Sequence, residues 1–172
     1  GKAYIRCEEF FNVEVRSDGR RIAYSLGAGL AFGGSVIVSG MALGADSMAL
    51  AGALDAGGKT VAVLGSGVDV IYPREHRNLY YNIISKGAVI SEYPPGSPPA
   101  GRHFPVRNRI MSGISDATVV VEADLKSGSL ITARNAVAQG RKLFAVPGKI
   151  GENGAEGTNQ LICDGALPVV TA

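Results

Sequence analysis

The sequence predicts an α/β fold with a doubly wound, mostly parallel sheet, and three observations support this prediction. Short apolar runs of four or five residues recur along the chain, and segments with apolar residues three or four positions apart separate them. Many of the 24 glycines stand at the ends of these runs, where they mark turns. Strands that alternate with helices at this spacing are typical of a parallel sheet with helices on both faces.

The composition indicates one folded domain with little net charge. The chain has 172 residues, of which 46% are hydrophobic and 19% are charged, and such values are typical of a globular domain with its own core. The net charge of +2 is too small to attract nucleic acid to the whole surface. An anionic ligand would therefore need a local basic site.

The cysteine and hydropathy patterns exclude several classes of protein. Cys7 and Cys163 lie at opposite ends of the chain, which predicts two reduced thiols and neither a disulfide framework nor a zinc site. No apolar run approaches the ~20 residues that cross a bilayer, and the first residues lack the apolar segment of a signal peptide. We expect a soluble, cytoplasmic protein with no membrane partner, no metal and no cofactor.

Residues 1–19 carry the weakest structural signal. Apolar residues alternate at Phe11, Val13 and Val15, which allows an edge strand, and disorder is the alternative. The predicted domain therefore covers residues 20–172.

Local signals define the helices of this domain. Ile22, Leu26 and Leu30 form an i, i+4 stripe, Asp46 suits an N-cap, and Pro73 suits the start of a helix. The predicted helices span residues 20–32, 46–56, 75–86, 110–114, 129–139 and 159–164.

Runs of β-branched and apolar residues between the helices predict the strands. These strands span residues 35–39, 60–64, 88–91, 117–121, 143–146 and 167–170. The proline-rich stretch at 94–99 excludes regular structure and predicts a stiff surface loop, which could act as a spacer or as a lid.

Two glycine-rich turns follow predicted strands. Residues 40–46 lead from a strand directly into a helix, an arrangement that can cradle phosphate but is equally common as a plain tight connection. Gly65-Ser66-Gly67 lacks the third glycine of the dinucleotide fingerprint, and no Walker A sequence occurs. Neither turn identifies a nucleotide by itself.

The densest basic cluster follows the proline-rich loop. Arg102, Arg107 and Arg109 offer planar donors to phosphate, and Phe104 among them offers a stacking face for a base. Charge along a backbone together with an aromatic platform is typical of sites for single-stranded nucleic acid. His103 fits a contact role, because a positive neighbour disfavours its protonated form.

Each of these assignments has a structural alternative. One of the arginines could pair with Glu92, Asp116 or Glu122, and most lone phenylalanines belong to the core. His76 is expected at the surface. The two histidines support no Ser-His-Asp arrangement and no metal-ligand spacing.

A second candidate surface follows the buried run at 117–121. Ser127-Gly128-Ser129 opens a predicted helix, and the free N–H groups of such a helix can bind an anion beyond the carboxyl ends of parallel strands. Glu122 stands at the same edge, where it could be catalytic or could accept hydrogen bonds from the two serines or an arginine. We favour the hydrogen-bonding role.

An ordered set of motifs connects these candidate sites. The segments are VSGMALGADSMALAGALDAGGKTVAVLGSGVDVIYPREH, ISEYPPGSPP, FPVRNRIMSGIS, VVVEADLKSGSLITARNAVAQGRKLFAVPG and GTNQLICDGA. Together they closely resemble the DprA/Smf family over roughly residues 20–172.

This resemblance implies an extended Rossmann-like fold, binding and protection of incoming single-stranded DNA, a homodimer, and loading of the RecA recombinase onto that DNA during natural transformation. It implies no catalytic activity. The DNA-binding positions that match the motifs are Gly40, Gly65, Ser66, Phe104, Arg107, Asn108, Arg109, Ser127, Gly128, Ser129 and Thr132. The basic cluster adds Arg102 and His103 to this set. The resemblance also implies dimer contacts at Leu161 and Ile162.

Two departures from the family pattern remove positive charge from the implied site. We find no Gly-Ser/Thr-Arg turn in residues 1–19, and Leu43 stands where a basic residue is frequent. The competing hypothesis is a small-nucleotide-binding enzyme or sensor of a related Rossmann-like fold, similar to the phosphoribohydrolases. Their Pro-Gly-Gly-x-Gly-Thr loop is replaced here by the Ser-Gly-Ser turn at 127–129.

Overall fold

The computed structural model describes residues 10–14 and 20–170, and in this part of the chain seven strands form one parallel sheet. The strands are β1 (Phe10–Glu14), β2 (Val36–Ser39), β3 (Thr60–Val63), β4 (Ala88–Ile90), β5 (Ala117–Val120), β6 (Lys142–Ala145) and β7 (Leu167–Pro168). Their order across the sheet is β4-β3-β2-β1-β5-β6-β7, and every neighbouring pair is parallel. The predicted doubly wound α/β fold is confirmed.

Helices cover both faces of this sheet. They are α1 (Arg20–Phe32), α2 (Ala45–Asp55), α3 (Arg77–Lys86), α4 (His103–Ile114), α5 (Ser129–Ala138) and α6 (Glu156–Cys163), with a 3-10 turn at Arg74–His76 before α3. In β2, Ile37 belongs to the core cluster that α1, α2 and α3 cover, whereas Val38 packs with Val63 and with Met111 of α4. Consecutive strand residues point to opposite faces, so both faces of β2 are buried.

Strand β1 lies in the interior of the sheet, which corrects the suggestion of an edge strand. It pairs with β2 on one side and with β5 on the other. The period-2 pattern at its residues revealed an extended segment, but the position of a strand in a sheet depends on distant pairing partners. Residues 1–9 and 15–19 lie outside the described part of the chain.

Two helix starts differ from the predictions for identifiable reasons. Helix α2 begins at Ala45, so Asp46 lies in its first turn and is not its N-cap. Helix α4 begins at His103, well before the predicted 110–114 segment. Pro105 is compatible with this start because the N–H groups of the first helical turn have no intrahelical partner.

The proline-rich stretch is a loop that packs against the segment after β3. The backbone N–H of Gly96 donates to Oδ1 of Asp69 at 2.7 Å. The N–H of Gly67 donates to the carbonyl of Ser97 at 2.9 Å. These contacts join two loops at the carboxyl edge of the sheet, and they favour a fixed spacer over a lid.

Within the residues that the structure describes, no helix is long and apolar enough to cross a membrane.

Candidate functional site

A cavity of about 550 Å³ opens beyond the carboxyl ends of β2, β3 and β5. The chain runs outward from β1 through β2, β3 and β4 and then returns to β5 on the opposite side of β1. The strand order therefore reverses beside β1, and open α/β sheets bind ligands at such a reversal.

Most of the candidate DNA-binding residues line this cavity. They are Gly40, Gly65, Ser66, Phe104, Arg107, Asn108, Ser127, Gly128 and Ser129. Arg102, His103, Arg109 and Thr132 do not line it. Arg102 and Arg109 are exposed, whereas Thr132 is fully buried in α5.

Arg107 is an internal residue whose guanidinium ties three segments together. Only 5% of the residue is exposed. Its Nη1 donates to the carbonyl of Gly40 at 3.0 Å and to the carbonyl of Val63. Its Nε donates to Oδ1 of Asn108 at 3.2 Å. Protein oxygens therefore occupy the Nη1 and Nε donors of Arg107. Because the residue also lines the cavity, its contact with a DNA phosphate stays a prediction.

Asp46 provides the opposite charge beneath the same turn. Its carboxylate accepts hydrogen bonds from the N–H groups of Gly40 at 2.9 Å and Ala42 at 3.2 Å. Burial raises the pKa of the Asp46 carboxyl, while the Arg107 charge opposes this rise. The 40–46 turn is thus organised by a buried carboxylate, and its own N–H groups bind that carboxylate.

Glycine is required at two positions because side chains approach the backbone closely. A Cβ atom on Gly40 would lie 2.3 Å from Nη1 of Arg107, and one on Gly65 would lie 2.8 Å from Cδ1 of Phe104. Both distances are too short for non-bonded atoms. The two turns therefore use glycine to admit the Arg107 and Phe104 side chains of α4.

Asn108 has an unused hydrogen-bond donor at the cavity wall. The residue is only 7% exposed, and its Oδ1 accepts from Arg107. This contact orients the amide, so its Nδ2 is the remaining donor group. That nitrogen has no hydrogen-bond partner among the described residues. A buried amide donor that lines a cavity is suited to a carbonyl or phosphate oxygen of a ligand.

Arg109 lies on the outer side of α4 and pairs with Glu92. Its Nη2 lies 2.6 Å from Oε1 and 2.5 Å from Oε2 of that carboxylate, and both side chains are about half exposed. This pairing is the structural alternative considered for one arginine of the cluster.

Because this ion pair is solvated, we expect Arg109→Ala to lower the free energy of unfolding by less than about 1 kcal/mol. Urea denaturation would measure the change, with Glu92→Gln as the matched control. A loss above about 2 kcal/mol would contradict the assignment to a surface pair.

Both histidines hold loops together. Nδ1 of His103 lies 2.9 Å from the carbonyl of Gly65, and its ring stacks on Tyr93 with centroids 4.0 Å apart. Nδ1 of His76 lies 2.9 Å from the carbonyl of Met41, and the residue is half-buried, so His76 lies at the surface but also contacts a neighbouring turn. Each Nδ1 faces a carbonyl and therefore carries the proton.

The N-terminus of α5 opens into the cavity. Gly128 is its N-cap, and no side chain caps the first turn. Ser127 stabilises the preceding turn, where its Oγ accepts from the N–H of Asp124 at 2.8 Å. The N–H groups of Leu130 and Ile131 donate to the carbonyls of Ser127 and Gly128 at 3.2 and 3.0 Å, so the N–H groups of Gly128 and Ser129 are the ones left for a ligand. Together with the positive end of the helix dipole, they favour an anion at this position.

Two aromatic rings form part of the cavity wall. Tyr72 and Phe104 stack with centroids 5.8 Å apart and an interplanar angle of 26°. Sequence reasoning selected Phe104 and missed Tyr72. The only available signal was that Tyr72 lies in the YPREH motif, since its ring partner is distant in sequence.

Among the described residues, the cavity wall has more acidic side chains than the basic cluster suggested. Asp46, Glu122 and Asp124 line it together with Arg107 and Lys126. Asp124 and Lys126 also escaped the sequence analysis. Residues two apart on a helix point in nearly opposite directions, so α4 directs Arg107 inward and Arg109 outward.

Leu43 also lines the cavity and is 62% exposed. Among the described residues of the cavity wall, Lys126 and the N-terminus of α5 are therefore the main groups available to attract an anion.

Comparison with known proteins assigns the family. A family model described as DNA recombination-mediator protein A matches residues 14–172. The chain belongs to this family. The resemblance identified from the motifs is confirmed.

Curated and solved relatives agree with this assignment. Protein Smf of Escherichia coli (strain K12) is 49% identical over 141 residues, which are 81% of this chain and 38% of that protein. The X-ray structure of DNA processing protein A (DprA) from Streptococcus pneumoniae has a TM-score of 0.87 at 39% identity and covers 95% of this chain and 59% of that one.

A DprA structure from Helicobacter pylori, whose description concerns a single-stranded DNA binding mode, has a TM-score of 0.86 at 31% identity. It covers 95% of this chain and 76% of that one. This chain spans less than half the length of the curated relatives from E. coli and S. pneumoniae.

Proposed function

We propose that this chain binds single-stranded DNA in the cavity at the carboxyl edge of the sheet. In this role it acts as a recombination mediator and catalyses no reaction. The observation that carries the proposal is the cavity itself. It combines an exposed aromatic face, the unused Nδ2 donor of Asn108 and the uncapped N-terminus of α5. Sites for single-stranded DNA combine surfaces on which bases stack with groups that bind the phosphates.

The relatives support the same ligand. The Helicobacter pylori structure matches 95% of this chain, and its description concerns a single-stranded DNA binding mode. Bases in a duplex are stacked and paired, whereas those of a single strand can enter a cavity of this size. We therefore expect selectivity for single strands.

Fluorescence anisotropy with a labelled oligo-dT, titrated at two salt concentrations, tests this proposal. We expect tight binding that weakens as salt rises, because counterions are released from the phosphates. A duplex of matched length should compete poorly. If no binding occurs at low salt, or if the duplex competes as well as the single strand, the proposal is wrong.

The second part of the proposal is that this chain loads the RecA recombinase onto single-stranded DNA. The family description, DNA recombination-mediator protein A, is the observation that supports it. Stimulation of RecA filament assembly on oligo-dT by this chain would test it. The same assembly rate with and without the chain would contradict it.

A homodimer is proposed from the family pattern at α6. Leu161 is half-buried and packs on the cluster of Val120, Ala123 and Ala133, and Ile162 beside it is also half-buried. Light scattering would report the mass in solution, and Ile162→Asp is expected to shift it toward the monomer. A wild-type mass equal to one chain would contradict the dimer.

Glu122 supports a competing function. It lines the cavity and contacts Gly154 in a wall with three carboxylates, which suits an acid–base role on a small nucleotide better than it suits a polyanion. Turnover of a nucleoside monophosphate that disappears in Glu122→Gln would favour this nucleotide-cleaving enzyme over the DNA-binding protein.

A further inference from the structure

The aromatic pair at the cavity has one open member and one enclosed member. Tyr72 is 46% exposed and lines the cavity, whereas Phe104 is half-buried. The Phe104 ring has the Tyr72 ring 5.8 Å away, the guanidinium carbon of Arg107 5.9 Å away and the backbone of Gly65 against its edge. Phe104 also lines the cavity, but neighbouring protein groups occupy more of its surroundings than they do for Tyr72.

This arrangement determines which ring can receive a base. A stacking surface needs one free face and a fixed orientation, because ordering a mobile ring costs entropy on binding. Tyr72 meets both conditions, since one face is open and the other rests on Phe104. The hydroxyl of Tyr72 has no hydrogen-bond partner among the described residues, so the ring does not depend on a polar contact for its position.

We propose that Tyr72 is the residue on which a nucleobase stacks in this cavity, and that Phe104 is a positioning residue that holds the Tyr72 ring. The inference rests on the proposed binding of single-stranded DNA and assigns a stacked base to that ligand. Stacking uses the flat face that every base possesses and therefore discriminates little among bases. It is also insensitive to salt, unlike the phosphate contacts.

The test compares Tyr72→Ala with Tyr72→Phe on oligo-dT and on an abasic oligonucleotide of equal length. We expect Tyr72→Ala to weaken oligo-dT binding by about 10-fold or more, and Tyr72→Phe to stay within about twofold, because the ring is kept. The slope of affinity against salt should be unchanged in both. On the abasic strand, wild type and Tyr72→Ala should bind equally.

The matched control is Tyr81→Ala. Tyr81 is 51% exposed on α3 and does not line the cavity, so its removal should leave both affinities unchanged. Equal affinity of Tyr72→Ala and wild type for oligo-dT would overturn the inference. An equal loss on the abasic strand would overturn it too, because the loss would then not involve a base.

A second readout uses the absence of tryptophan from the chain. Tyr72→Trp introduces a single indole, and its emission should be quenched by oligo-dT but not by the abasic strand. Quenching by both strands, or by neither while binding persists, would contradict a stacked base.

A double-variant comparison tests whether Phe104 acts on DNA binding through Tyr72. Phe104→Leu should weaken oligo-dT binding in the wild-type background and have little further effect in Tyr72→Ala, because a positioning residue acts through its partner. Additive losses would assign a base contact to Phe104 itself. If the wild-type chain does not bind oligo-dT at low salt, the proposed function fails; if it binds and Tyr72→Ala is neutral, only the present inference fails.

Discussion

Replacing Arg107 with methionine is expected to lower the free energy of unfolding by about 3–5 kcal/mol, because it leaves the buried Asp46 carboxylate without its charge partner. The substitution also removes hydrogen bonds to the carbonyls of Gly40 and Val63. For a domain of this size, such a loss lowers the Tm by roughly 6–20 °C. Urea denaturation at neutral pH and thermal unfolding would measure both quantities.

The pH dependence identifies the cause of this loss. Burial raises the pKa of Asp46 above 3.8, and Arg107 opposes that rise, so the pKa should rise further in Arg107→Met. An acid whose pKa is higher in the folded state destabilises the fold once the pH exceeds its unfolded value. The loss in Arg107→Met should therefore be largest near about pH 7 and smaller near about pH 4.

The control for this prediction is the double variant Asp46→Asn/Arg107→Met. Without a lone carboxylate it should be more stable than Arg107→Met at neutral pH, and its stability relative to wild type should vary less with pH. If the single variant loses less than about 1 kcal/mol, or loses the same amount at every pH, the buried pair does not organise the 40–46 turn.

Gly128→Asp is expected to weaken oligo-dT binding by about 10-fold at low salt and to reduce the salt slope by about one unit, as for the loss of one phosphate contact. The added carboxylate would occupy the uncapped N-terminus of α5 and repel a DNA phosphate. A Cβ atom at Gly128 meets no atom within 4 Å, so the side chain fits without strain. Anisotropy titrations at two salt concentrations would measure the effect.

Gly101→Asp is the matched control for this charge effect. A Cβ at Gly101 also meets no atom within 4 Å, and the residue lies near the N-terminus of α4 but does not line the cavity. Gly128→Asp and Gly101→Asp each add one negative charge, so the net charge of the chain changes equally in both. We expect Gly101→Asp to bind almost as wild type does and both variants to keep their stability, since an acidic residue near a helix N-terminus is favourable. Equal weakening in both would show that net charge, and not the α5 terminus, governs binding.

The local sequence was sufficient for most of the secondary structure and for the family. Short β-branched runs gave strands at the expected places, because strand and helix preferences act over a few residues. The segment at 117–121 and the Ser-Gly-Ser turn behind it became β5 and the start of α5. Motif order over the whole domain identified the family, since several matches in one order are far more specific than any single match.

The tertiary structure decided the roles of the charged and aromatic side chains. Arg107 and Arg109 lie two positions apart, yet one is buried near the Asp46 carboxyl and the other forms a salt bridge with exposed Glu92. The direction of each side chain follows from helix phase, and its partner from the packing of segments that are far apart in sequence. For the same reason only the fold placed β1 inside the sheet and brought Tyr72 beside Phe104.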